Sequence, residues 1–138
     1  MTKLLASLAV FAVALAPQAL KADLPAQCFM GNAVMHGTYV ASGTGAIIGV
    51  GPITTVALVI YNGDGTGVSV FSTTSVNGAP STTTNVPATF TVNPDCTGSK
   101  TIGTTHYNFV ITPNGSTITW IVTDTGVTLS GTGIRQRL

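Results

Sequence analysis

The feature that most constrains this chain is its punctuation. From residue 36 onward, runs of β-branched and aromatic residues are broken every 8–15 residues by Gly, Asn-Gly, Asp-Gly or Pro-Asn-Gly. Asn-Gly and Asp-Gly tolerate the positive φ angles of tight hairpins, and no amphipathic helical period intervenes. Strands are expected at His36–Ser42, Ile53–Tyr61, Val68–Ser75, Thr82–Asn85, Ala88–Val92, Lys100–Thr105 running into His106–Thr112, Ser116–Asp124 and Val127–Arg135. The glycines from Gly43 to Gly51 read as an interruption, and Pro87 as an edge, kink or bulge. Seven to nine strands in hairpin order imply an all-β fold. The expected form is a small antiparallel meander barrel of about eight strands, with a β-sandwich as the alternative.

Period-two alternation sorts the side chains. Ile118, Trp120 and Val122 share one face of their strand, against Thr117, Thr119, Ile121 and Thr123. Phe90 and Val92 oppose Thr89 and Thr91, and Val68 and Val70 oppose Ser69, Phe71 and Thr73. One apolar and one Thr-rich face describe a sheet closed or paired around a single interior.

The amino terminus has a different character. Lys3 precedes a mostly apolar run from Leu4 to Ala16, Pro17 breaks it, and Ala22 offers a small residue for cleavage. This is the layout of a secretory signal peptide. The run of 13 residues would cover about 20 Å as a helix, short of a bilayer core of roughly 30 Å. The expected organisation is a signal helix at 1–22 and one exported domain at 23–138, periplasmic or extracellular, with no stable membrane span after cleavage.

Charge narrows the function classes. Charged residues are 7% of the chain, Glu is absent, and residues 23–138 carry four Asp against Lys100, Arg135 and Arg137. A nucleic-acid binder needs a basic face to neutralise phosphates, so that class is excluded. Ser and Thr make up 31 residues of the same segment, which suits an exported β domain whose solubility rests on hydroxyls. Cys28 and Cys96 are an isolated pair. In an oxidising compartment a disulfide is the favoured reading, over two free thiols or a metal pair. No His or Cys has zinc-ligand spacing, and neither a metal nor a cofactor is expected.

Individual motifs carry little chemistry. Asn62-Gly63-Asp64-Gly65-Thr66-Gly67 starts like a calcium loop, but its twelfth position is Thr73 where a bidentate acid is required. His36 and His106 lack a nucleophile and elbow motif, and Asp64 and Asp95 sit in turns where Asp is usual. Asn114-Gly115-Ser116 matches a glycosylation acceptor and also a hairpin turn. No catalytic residue is assigned, and an enzyme is the less favoured reading. The eight aromatics between Phe29 and Trp120 either fill the core or line a cavity. For the cavity, the candidate ligand-contacting set is Tyr39, Phe71, Phe90, Tyr107, Phe109 and Trp120.

A resemblance rests on Gly37-Thr38-Tyr39, Gly51-Pro52 with the strand to Tyr61, the Asn62–Gly67 turn, and Thr91-Val92-Asn93-Pro94-Asp95-Cys96-Thr97-Gly98. This order resembles small secreted bacterial proteins whose pattern is similar to calycin-type and allene oxide cyclase-like barrels. The resemblance implies an eight-stranded barrel with an apolar cavity, in groups that include ligand carriers and cyclases, and it supplies no catalytic residue. Three functions follow as expectations. The first is binding of a small hydrophobic molecule. The alternatives are a barrel cyclase or isomerase on a hydrophobic substrate, and a structural or surface protein (envelope, adhesin or filament) that self-associates through strand edges.

Overall fold

A computed structural model describes residues 27–137, and the expected signal helix at 1–22 lies outside them. After a short 3-10 helix at Gly31–Val34 come nine strands: β1 (His36–Ile47), β2 (Gly51–Asn62), β3 (Thr66–Val76), β4 (Ala79–Thr83), β5 (Val86–Val92), β6 (Thr97–Ile102), β7 (Thr105–Ile111), β8 (Thr117–Val122) and β9 (Ser130–Arg135). Each strand pairs antiparallel with its neighbours, β9 returns to β1, and β2 pairs with β3. The result is a closed eight-stranded barrel of β1, β2, β3, β5, β6, β7, β8 and β9, with β4 as one extra strand. The sandwich alternative is excluded by that closure.

Two sequence expectations are corrected. β1 runs through Gly43 and Gly45 without interruption. These glycines mark close approach, since a Cβ at Gly43 would overlap the Trp120 ring and one at Gly45 the Thr128 carbonyl. The long segment at 100–112 is two strands, because Gly103 adopts φ 59° and turns the chain between β6 and β7.

β3 serves two partners. Thr66–Ser69 pairs with β5, and Ser72–Val76 pairs with β4 through a hairpin at Asn77-Gly78, where both φ angles are positive. The register against β2 slips between Leu58 and Val59. Leu58 therefore pairs with Phe71 and Val59 with Ser69, leaving Val70 as the extra residue of a bulge. Beyond the bulge the alternation is inverted. Ser69 is buried, whereas Phe71 turns outward and is 44% exposed.

The two ends of the barrel differ. At one end the Cys28–Cys96 disulfide, with Cα atoms 5.2 Å apart, ties the 3-10 helix to the β5–β6 loop. Asn32 Oδ1 accepts from Val92 N at 2.8 Å, and Cys28 and Met35 are fully buried, so this end is plugged. The loops here repeat one design. Asp64 Oδ1 accepts from the backbone N and hydroxyl of Thr66, at 2.9 and 2.6 Å, and Asp95 Oδ1 accepts equally from Thr97, at 3.0 and 2.6 Å. Above the plug, Phe109, Ile111, Ile118 and Trp120 pack into the hydrophobic core. Each such side chain contributes roughly 1.5–3 kcal/mol through apolar burial. The opposite end carries the β1–β2, β6–β7 and β8–β9 connections and remains open.

Candidate functional site

β6 places the site. Its outward residues Thr97 and Ser99 are exposed, and Gly98, Lys100 and Ile102 alternate with them toward the interior. Lys100 stands in register between Phe90 of β5 and Tyr107 of β7. Only 6% of it remains accessible, and it is the one buried charged side chain among the described residues. Lys100 Nζ donates to the Tyr61 hydroxyl across the barrel at 3.0 Å. The amine also lies 5.0 Å from the Tyr107 ring centroid and 5.6 Å from those of Tyr61 and Trp120.

These rings hold one another edge to face. Tyr61 meets Tyr39 at 5.4 Å and Phe90 at 5.3 Å, and Tyr107 meets Trp120 at 5.5 Å. Gly43 and Gly98 make the arrangement sterically possible, since a Cβ at either would overlap the ring of Trp120 or Phe109.

No carboxylate offsets the buried amine. The one ion pair among the described residues joins His106 Nδ1 to Asp124 Oδ1 at 2.7 Å, at the rim of the open end. Desolvation therefore pushes Lys100 down to about 7 from the ordinary lysine value of 10.5. Burial likewise holds the Tyr61 phenol well above its usual range, reinforced by Tyr107 and Tyr39. At neutral pH a substantial share of Lys100 is a free amine beside a protonated phenol.

Beside Lys100 is a chamber of about 60 Å³, walled by Ala41, Ala57, Val59, Tyr107 and Trp120 among others. It adjoins a cavity of about 410 Å³ at the open end, with Thr55, Ser72, Ile102 and Tyr107 lining both. The outer cavity is walled by aliphatic side chains such as Ile47, Ile53, Val86, Val122 and Leu129 and by hydroxyls such as Thr74, Thr83 and Thr104, with Asp124 at its rim. His106 donates to that rim carboxylate from its backbone N at 3.1 Å as well as sharing the ring contact. The inner wall is rich in donors. Lys100 uses one N–H, and the buried Trp120 Nε1 has no hydrogen-bond partner. A larger depression of about 590 Å³ on the outer face of β6–β8 lies among Thr, Ser and Asn with Phe109, Val110, Trp120 and Ile121, and no ionisable group lines it.

Of the aromatic residues singled out from sequence, Tyr107 and Trp120 line the chamber. Phe90 and Phe109 are buried core, and Tyr39 is buried nearer the plugged end, donating its hydroxyl to the Gly115 carbonyl. Phe71 is on the outer surface, turned there by the bulge, in a row that runs Ile134–Val40–Leu58–Phe71 across four strands. Lys100 and Tyr61 escaped the sequence reading. The available signal was the Gly98–Lys100–Ile102 alternation at the only lysine of residues 23–138.

Fold and site together define a closed antiparallel barrel plugged at one end, open at the other, with a buried lysine between them that has no counter-ion among the described residues. No known family, curated protein or solved structure matches the chain. No group of three or more metal-ligating side chains and no helix long and apolar enough to cross a membrane occurs among the described residues.

Proposed function

We propose that this protein is an exported carrier of a small, mainly apolar molecule, which enters at the open end with its polar group toward Lys100. The observation that carries the reading is an amine buried without a counter-ion beside unfilled space. An isolated buried charge is strongly unfavourable, and a methionine would fill the same volume without that penalty. A ligand with an acceptor oxygen would use the free donors of Lys100, while its tail packed on the aliphatic side chains of the mouth. The mouth volume of about 410 Å³ falls within the range of roughly 300–1,000 Å³ usual for small-molecule sites.

Export is part of the proposal. The disulfide is compatible with an oxidising compartment, and the amino-terminal segment has the pattern of an export signal. Cyclisation is the weaker alternative: Tyr61 and Lys100 could serve as an acid and a base, but the space beside them is only about 60 Å³, so a polyene would fold in the outer cavity, away from both groups. Self-association through the extra strand is weaker too. β4 has five residues, is polar and exposed, and contains Pro80, features that blunt an edge.

Native mass spectrometry of the protein isolated from its own host tests carriage. One small molecule per chain, released on denaturation, is the expected result. Bare chain alone in every such preparation would count against it.

A further inference from the structure

We infer that Lys100 binds its ligand covalently and reversibly, as an imine with an apolar aldehyde or ketone. This rests on the carrier reading above and names the chemistry of the ligand's head. Four observations converge on it. The amine borders the chamber, which can hold a carbonyl group and its first carbons. The partner of Lys100 is a phenol at 3.0 Å, with no acid among the described residues to hold the nitrogen as an ammonium. The surrounding rings leave Lys100 only 6% accessible, and a poorly hydrated site favours the imine over its hydrolysis. The desolvated amine, brought down to about 7, is available as a nucleophile at neutral pH, as in other desolvated lysines that form Schiff bases.

The step balances without any further reagent. The Lys100 Nζ lone pair attacks the carbonyl carbon, a C–N bond forms, and the carbonyl π pair moves to oxygen. The Tyr61 hydroxyl, already hydrogen-bonded to Nζ, supplies a proton to that oxygen and recovers one from nitrogen. The carbinolamine then loses water, and a C=N bond replaces C=O. One amine and one carbonyl give one imine and one water, with no net change in protons or oxidation state.

Lys100 is the only lysine among the described residues, so labelling is readily assigned. The test treats the full disulfide-bonded protein with hexanal and cyanoborohydride at neutral pH, then maps hexyl groups by peptide mass spectrometry. A parallel sample is unfolded in urea, and hexan-1-ol binding is followed separately by the emission of Trp120. The expected result is Lys100 labelled at least ~10-fold faster in the folded protein, because unfolding returns the amine to an ordinary lysine that is almost wholly protonated. A structural, inaccessible lysine gives the reverse order, with labelling faster after unfolding. If hexan-1-ol binds but folded Lys100 labels no faster than unfolded, the imine is wrong and carriage stands. If neither probe engages the barrel, both are wrong.

Discussion

Replacing Lys100 by Met isolates the energetics of the buried amine, because Met keeps an unbranched apolar stem of similar volume and removes the amine with its charge and hydrogen bond. Burial lowers the amine from 10.5 to about 7, which at about 1.4 kcal/mol per tenfold corresponds to roughly 5 kcal/mol against the ammonium. Cation–π contact with the three surrounding rings offsets about 1–2 kcal/mol of this. Met also leaves the Tyr61 hydroxyl without its partner, at a cost of about 1–2 kcal/mol. Lys100→Met is therefore expected to be more stable than wild type by roughly 1–3 kcal/mol near pH 6.

The sign of the pH dependence follows from proton counting. The unfolded chain keeps the Lys100 proton up to 10.5 and the folded chain only up to about 7. Below the lower value both states are protonated and the penalty is fully present. Between the two values the unfolded state binds more protons, so wild-type stability rises with pH, by up to about 1.4 kcal/mol per pH unit. The variant lacks this contribution, so its advantage shrinks through that window and reverses once wild type retains only the Tyr61 bond. Urea unfolding of both proteins, followed by Trp120 emission from about pH 6 to pH 10, measures the difference. A stability difference that stays constant across the range refutes the reasoning.

Further predictions concern the frame around the site. Gly43→Ala, whose methyl would overlap the Trp120 ring, should lower stability by about 1–3 kcal/mol through overpacking, read from the urea midpoint. Phe109→Ala should cost about 3–5 kcal/mol, whereas outward-facing Phe71→Ser should stay within about 0.5 kcal/mol, a contrast that tests the β3 bulge. Removing the disulfide by Cys28→Ser with Cys96→Ser opens a loop spanning 68 residues and should cost roughly 4 kcal/mol in the chain-entropy account, visible as a lower melting temperature. The hydrogen bonds from His106 hold the Asp124 carboxyl below its ordinary range. Its stabilising effect should be present above that range and fade as pH falls through the depressed value. Carboxyl carbon NMR should show the Asp124 titration moving upward in His106→Ala.

The architecture was legible because turn chemistry and alternation are local. Asn77-Gly78 and Asn62–Gly65 mark hairpins by the φ angles they tolerate, and Ile118, Trp120 and Val122 all face inward as their spacing predicts. The Cys28–Cys96 bond was likewise readable, because two cysteines allow a single intramolecular pairing. Gly43 was misleading for a physical reason: the same residue marks a chain break or a close packing contact, and only the position of Trp120 distinguishes them. Phe71 was misassigned to the interior because one bulge residue inverts every later side chain on β3. Lys100 was the hardest to see. Lysine is ordinarily exposed, and its meeting with Tyr61, 39 positions away, depends on the closure of the barrel.

The central claim is that the barrel admits a small apolar molecule as far as Lys100. Trp120 is the sole tryptophan and lines both the chamber and the outer depression, so its emission reports binding and a chamber-filling variant assigns that binding to the chamber. The decisive measurement is a titration of wild type and of Ala57→Leu, whose longer side chain fills the chamber, with hexan-1-ol. The account predicts a saturable, one-to-one change in wild type and an affinity at least ~10-fold weaker in the variant, equivalent to about 1.4 kcal/mol. A wild-type emission that never saturates, or equal affinity in the two proteins, would contradict it.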